Sequence, residues 1–476
     1  MDLERSAALG PTSEGRIAAP SIAGARQAAE AAPAPPVAYE QNERPRSGRT
    51  DSDGAQNGAR VATARAPSHR RHAHSTIALE MAADDLLERT FEERLAAGDA
   101  VGWSGYDPYD ALRSPLVRAL AFGRRWPRIA WIQLLKRSPI NLRPFLLVPK
   151  GVNAKGLGLV ARALAVDAEA RGNDHRAAVA ALLRRLDDLR SSGATGSGWG
   201  YNFDWQSRAF YVPEGTPSIV CTTFVANAYL DAYRVWGERA WLERAREACE
   251  FVLRDLNRTD GPDGAFCFSY TPLDRTCVHN ASMLGAELLA RVAAETGEAE
   301  LVDAAVAATT FTVSAQRADG SWPYGDLPFQ SWVDSFHTGF VLVSLQAVAR
   351  ATGRRDWLEA LERGYAFFRD RFFLVDGTPK YYANEVYPID IHSAAQALVT
   401  FAAMRTIDGK ALERGRRVFD WTVEHMRRSD GAFAFQKHRR FTNRTSYQRW
   451  SQAWMVYGMA RLMAATHGSV DEGRTE

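Results

Sequence analysis

Cysteine is scarce: Cys221, Cys249, Cys267 and Cys277 are the only four in 476 residues. None forms a CxxC pair, so neither a disulfide scaffold nor a zinc ribbon is indicated. No apolar run reaches the roughly 18 residues that a membrane-spanning helix needs. The opening MDLERSAALG carries acids where a secretion signal has a basic start and an apolar core. A reducing, cytoplasmic location is therefore the expectation. Lysine is rare, six against 53 arginines, while the 59 basic residues nearly balance 56 acidic ones. The phosphate-cradling GxxxxGK[ST], the strand-linked GxGxxG and the nucleophile motif GxSxG are all missing. The basic segments lack a nucleic-acid-binding fold around them, so no nucleic acid is expected as a partner.

Aromatics are missing from one region. Residues 1–75 hold 18 alanines and 7 prolines but a single aromatic, Tyr39. Such a segment cannot bury enough apolar surface to offset its ordering entropy. It reads as a disordered tail or an early start codon, and His69, His72 and His74 fall in a solvated basic tract within it.

From about residue 76 the pattern is helical, with apolar residues three and four apart in stretches running from 77–97 to 450–465. The helices pair, and the pairs repeat. CTTFVANAYLDAY, CVHNASMLGAELL, SFHTGFVLVSLQAV, DIHSAAQALVTFAA and RWSQAWMVYGMARL start successive copies. Aligning Thr222, His279, His337, His392 and Trp450 gives spacings of 57, 58, 55 and 58 residues. KGLGLVARALAVD, near Lys155, is an earlier copy. Each small-residue helix precedes a more charged one, and a Gly/aromatic loop (SGWGYNFD, DGAFCFSY, DGSWPYGD, DGAFAFQK) closes the unit. With 77–97 as the remaining outer helix, six hairpins close into an all-α (α/α)6 toroid over 76–476.

The period, the DGSW-type loops and the inner-helix starts resemble the six-hairpin toroid proteins. That group includes glycoside hydrolases, uronic-acid lyases and epimerases, and N-acyl sugar epimerases. The closest flavour is that of toroid proteins encoded among bacterial exopolysaccharide genes. The resemblance is architectural, covers roughly 76–467, and carries no catalytic roles across. DGSW also resembles a motif of terpenoid cyclases and prenyltransferase subunits, but the acidic DxDD of the cyclases is missing.

His279, His337 and His392 hold one register at the starts of three inner helices, the end that opens on a toroid's central cavity. Rings set about 10 Å apart, one interhelix distance, are too far apart for one metal with ligands at about 2 Å. No metal and no cofactor are expected, and a packing role is the alternative. Asp334 and Asp390 precede their histidines by three and two residues, as general acids or bases or as helix caps. Trp199, Tyr201, Trp322, Tyr324 and Trp450, with Asp204 among them, suit stacking on sugars or loop packing. The segment YYANEVYPIDIH brings Tyr382 and Tyr387 close to His392, and a tyrosine beside a histidine can move the C5 proton of a uronic acid.

From Ala111 to Val166 there are eleven basic residues and no acid. That stretch, with Trp126, Trp131 and the runs IAWIQLL and FLLVP, fits an anionic membrane surface through 111–150, an acidic polysaccharide, or a solvated or internally paired face. A second basic loop at 436–449 offers Arg439, Arg444 and Arg449, whose forks match carboxylates. The expected function is therefore an enzyme on an acidic polysaccharide or oligosaccharide in polysaccharide biosynthesis or processing. It would act by C5 epimerisation, elimination or hydrolysis. The histidines and tyrosines would move protons, the two aspartates serve as acid or base, and the arginines hold carboxylates. The alternatives are a non-catalytic sugar-binding scaffold of an exopolysaccharide assembly and a terpenoid cyclase-like enzyme. The polar inner-helix starts speak against a cyclase.

Overall fold

The computed structural model describes residues 85–468. The tail expected over 1–75 and the first residues of the 77–97 helix lie outside that range. Six inner helices form a closed ring: α4 (Ala154–Arg171), α6 (Ile219–Trp236), α8 (His279–Thr296), α10 (Ser335–Thr352), α12 (Ile391–Ala403) and α14 (Trp454–Thr466). Each packs on the next, and α14 packs back on α4. The outer helices are α5 (Arg176–Asp188), α7 (Arg239–Glu250), α9 (Ala299–Ser314), α11 (Leu358–Arg371) and α13 (Ala411–Met426). The helix over 85–99, α1, spans the seam. It buries Leu87 and Phe91, and its Glu88 and Glu93 pair with Arg171 and Arg427. The fold is the expected (α/α)6 toroid.

Local chemistry sets the ring. Asn153, Ser218, Asp334 and Asp390 cap α4, α6, α10 and α12 by accepting from backbone N–H groups of the first turn. α8 ends at Gly297 with φ of 75°, a left-handed position that any Cβ would disfavour. The inner helices approach closely because their contact faces are small: a Cβ on Gly458 would sit 2.7 Å from the Ala395 carbonyl of α12. Short antiparallel strands tie down the loops, including Ile389–Asp390 against Gln436–Lys437 at the mouth of the ring.

The basic stretch folds as an added lobe. A 3-10 turn at Asp110–Arg113, α2 (Pro115–Leu120) and α3 (Arg125–Arg137) enclose a small core of Leu112, Val117, Ile132, Leu135 and Val148. Arg143, fully buried, fastens the lobe to the ring. It donates to Asp110 at 2.6 Å, to the Asp107 carbonyl at 2.8 Å and to the Tyr447 hydroxyl at 2.8 Å.

At the C-terminal mouth of the inner ring, Asp231 lies between Arg162 at 2.7 Å and Arg291 at 2.5 Å. Burial opposes its charge, yet the two guanidiniums hold it below the ordinary carboxylate range. Replacing Asp231 with alanine removes the paired carboxylate of Arg162 and leaves Arg291 only Asn227 and the more distant Glu287. The change should lower the unfolding free energy by about 3–5 kcal/mol, read by urea denaturation. A loss under about 1 kcal/mol would contradict a pairing role of that weight.

Candidate active site

At the opposite mouth, Lys155, Asn280, His337 and His392 occupy the second or third positions of α4, α8, α10 and α12. They open on a cavity of about 510 Å³. Arg449 and Trp450 enter from a widened π-helical turn, Gln448–Ala453, that leads into α14. The helix N-termini converge here, and their dipoles add positive potential. Five basic side chains line the wall: Lys136, Arg137, Lys155, Arg208 and Arg449. No aspartate or glutamate does.

The acids stand one layer back. Asp334, buried, takes a hydrogen bond from His337 Nδ1 at 2.7 Å, so the imidazole directs Nε2 away from it. His392 is framed differently: its Nδ1 lies 3.1 Å from the Trp450 carbonyl. A carbonyl can only accept, so Nδ1 carries the hydrogen and Nε2 keeps a lone pair. Burial, and then the nearby Lys155 charge, push the His392 pKa well below the ordinary imidazole value. The two rings are thus held in different hydrogen-bond frames, one against a carboxylate and one against a backbone carbonyl. Both line the same cavity.

Lys155 was named in the sequence only as the start of a repeat and as one of a basic run. It is buried, with Nζ 4.3 Å from the Phe224 ring centroid and 5.2 Å from that of Trp454. Burial, then the Arg449 charge, lower its pKa to about 7. Trp332 stacks on Tyr324 with centroids 4.3 Å apart, and Tyr324 meets His337 at 4.7 Å. Lys136 donates to the Tyr109 hydroxyl at 2.7 Å on the facing wall.

The structure sorts the expected residues. His337, His392, Tyr201, Tyr324, Tyr382, Arg449 and Trp450 line the cavity. His279 does not: it is the first residue of α8, and its ring turns outward to Phe311 and to Asp326 at 3.1 Å. Asp390 is a buried cap that also accepts from Trp450 Nε1 at 2.9 Å and Gln436 at 2.7 Å, so it positions its neighbours from behind the wall. Trp199 and Trp322 are corrections: each is buried and donates its indole N–H to the carbonyl of an outer helix, Leu186 or Thr312, leaving no face for a sugar. Asp204 accepts from the Glu214 backbone outside the cavity. Tyr387, Arg439 and Arg444 are exposed and line no part of it. Arg449 gives its fork to Asp107, at 2.7 and 2.8 Å, rather than leaving it open for a substrate. Among the described residues no three His, Cys, Asp or Glu side chains converge as a metal would require.

No protein-family model matches the chain, and no curated protein does. Solved structures do. A cellobiose 2-epimerase from Bacillus thermoamylovorans matches with a TM-score of 0.54 and 14% identity, covering 67% of this chain and 88% of its own. A sugar epimerase from a ruminal bacterium gives 0.54 at 12% identity over the same shares. A GH76 α-mannanase from Bacteroides thetaiotaomicron gives 0.53 at 14%, covering 66% and 86%. At these identities the likeness is one of fold.

The Lys155 environment carries a stability signature. The folded chain prefers the neutral amine, whereas the unfolded chain holds its proton up to about pH 10. Lys155→Met should therefore raise the melting temperature. The gain should grow as pH falls from about 10 to about 7, and level off below that. Melts showing no gain, or a gain that does not change with pH, would contradict the burial described.

Proposed function

We propose that the cavity is the active site of a carbohydrate-active enzyme that moves the C5 proton of a uronic-acid residue within a polysaccharide or oligosaccharide. The carrying observation is the make-up of the wall: Lys136, Arg137 and Arg208 as basic groups with no carboxylate partner among the described residues, two differently framed histidines and no carboxylate. Glycoside hydrolysis asks for two carboxyl groups flanking the bond, about 5–9.5 Å apart, and none faces this cavity. An acidic sugar fits the charge, and stacked aromatics such as Tyr324 and Trp332 fit its ring.

The chemistry follows from the frames. The substrate carboxylate lies against Lys136 and Arg137, which offset its charge and acidify the adjacent C5–H. His392 Nε2 takes that proton, and the C–H electron pair moves into the carboxylate as an enediolate held by the cations. His337 then acts as the acid, with Asp334 behind it. Delivery of its proton to the other face of C5 inverts the centre. Delivery to the oxygen at C4 lets that group leave as the C4–C5 double bond forms. Tyr382, half-buried on the same wall, is placed to assist the leaving oxygen. Two of the proteins sharing the fold are named as epimerases, which is in keeping with proton transfer at a sugar carbon.

The test is incubation of the protein in heavy water with uronate oligomers and, separately, with cellobiose, read by mass spectrometry. Deuterium should enter the uronate, at intact length for epimerisation or with an unsaturated end for elimination. His392→Asn and His337→Asn should each slow incorporation at least ~10²-fold. Label entering only cellobiose would move the reaction to a neutral sugar. Cleavage with added water and no carbon label would replace the reading with hydrolysis. Sugar binding without any turnover would favour a scaffold.

A further inference from the structure

About half of the large apolar side chains that stand exposed among the described residues fall between Leu116 and Leu147, in the α2–α3 lobe. Phe122 is 76% exposed, Trp126 65% and Phe145 78%. On α3, Trp126, Ala130 and Leu134 are all exposed at intervals of four, and so form one stripe. Ile132 and Leu135, on the opposite face, fill the lobe's core. Phe122 and Leu147 hold φ of 48° and 55°, left-handed conformations rare for bulky residues, and both keep their side chains in solvent. An exposed apolar surface of this density marks a contact surface.

Charge identifies the occupant. Arg118, Arg124 and Arg125 stand exposed in the same stretch, and none of them forms a salt bridge among the described residues. The lobe's one acid, Asp110, is buried against Arg143. A protein partner's apolar face would leave those guanidiniums facing no anion. A bilayer with acidic headgroups meets both needs, taking apolar tips at the acyl boundary and arginines among the phosphates. No helix among the described residues is long and apolar enough to cross a membrane, so the contact is peripheral.

We infer that the α2–α3 lobe docks the protein on the surface of an anionic lipid bilayer, with Trp126, Phe122 and Phe145 as its apolar anchors. The same helix lines the catalytic cavity with Ile129, Gln133 and Lys136, so a docked protein holds the mouth of that cavity beside the membrane. Resting on the function proposed above, this makes glycans carried on membrane lipids the substrate class.

Flotation of the full chain with phosphatidylcholine vesicles, with and without phosphatidylglycerol, tests the docking. Because it needs no turnover, its outcome is separate from that of the reaction. The protein should float with the anionic vesicles, weakly or not at all with the neutral ones, and release as salt rises. Trp126→Glu/Phe145→Glu and Arg118→Glu/Arg124→Glu should each weaken binding at least ~10-fold. All four side chains are exposed, so both variants should melt as the parent does. No flotation, or equal flotation of parent and variants, would overturn the proposal. Sedimentation velocity showing a dimer that Trp126→Glu/Phe145→Glu splits would assign the surface to a second copy of the chain and overturn it as well.

Discussion

Closing six inner helices into one ring forces their N-termini to converge, and that convergence is the constraint on which the rest of the structure depends. N–H groups and dipoles gather around a single cavity, so the mouth is electropositive before any side chain is counted. Four of the six inner helices, α4, α6, α10 and α12, begin with a side-chain cap. Asp334 and Asp390 satisfy the backbone first. As a consequence they sit behind the wall, where they brace His337 and Trp450 rather than meet a ligand.

Two mouths of one ring thus acquire different chemistry. At the C-terminal end, arginines meet acids inside the helical layer, with Asp231 between Arg162 and Arg291. At the N-terminal end the acids are turned away: Asp107 is engaged by Arg449, Asp110 by Arg143 and Asp334 by His337. What faces the cavity is cationic, aromatic and imidazole. Lys155 shows the cost. A buried cation with no carboxylate beside it destabilises the fold, a pattern tolerated at functional sites.

The ring itself was legible because its signal is long. Repeats 55–58 residues apart, each opening on a small-residue helix, needed no knowledge of packing to read. Side-chain direction was not legible at that range. His279 and His337 are 58 residues apart, yet α8 begins at His279 while α10 begins two residues before His337. Each helical residue turns the side chain by about 100°, and the two rings diverge. Trp199 and Trp322 were misplaced for a similar reason, because a Gly/aromatic loop looks alike whether its indole points at a ligand or at an outer helix. Arg449 looked free because its partner, Asp107, lies 342 residues earlier in the chain. The burial of Lys155 was not legible because Phe224, Phe340 and Trp454, the rings around its amine, come from three later helices. The lobe was seen as charge and short apolar runs, and its two helices emerged only where α3 found Val117 and Val148 to pack on.

The central claim is that two histidines share one cavity in different proton frames, and nitrogen-15 NMR of histidine-labelled protein examines it directly. The account predicts that His392 stays neutral from pH 8 down through 6, protonated on Nδ1 with Nε2 bare, while the His337 Nδ1 proton shows the downfield shift of a bond to a carboxylate. A His392 ring that titrates near the ordinary imidazole value, or that carries its proton on Nε2, would contradict it.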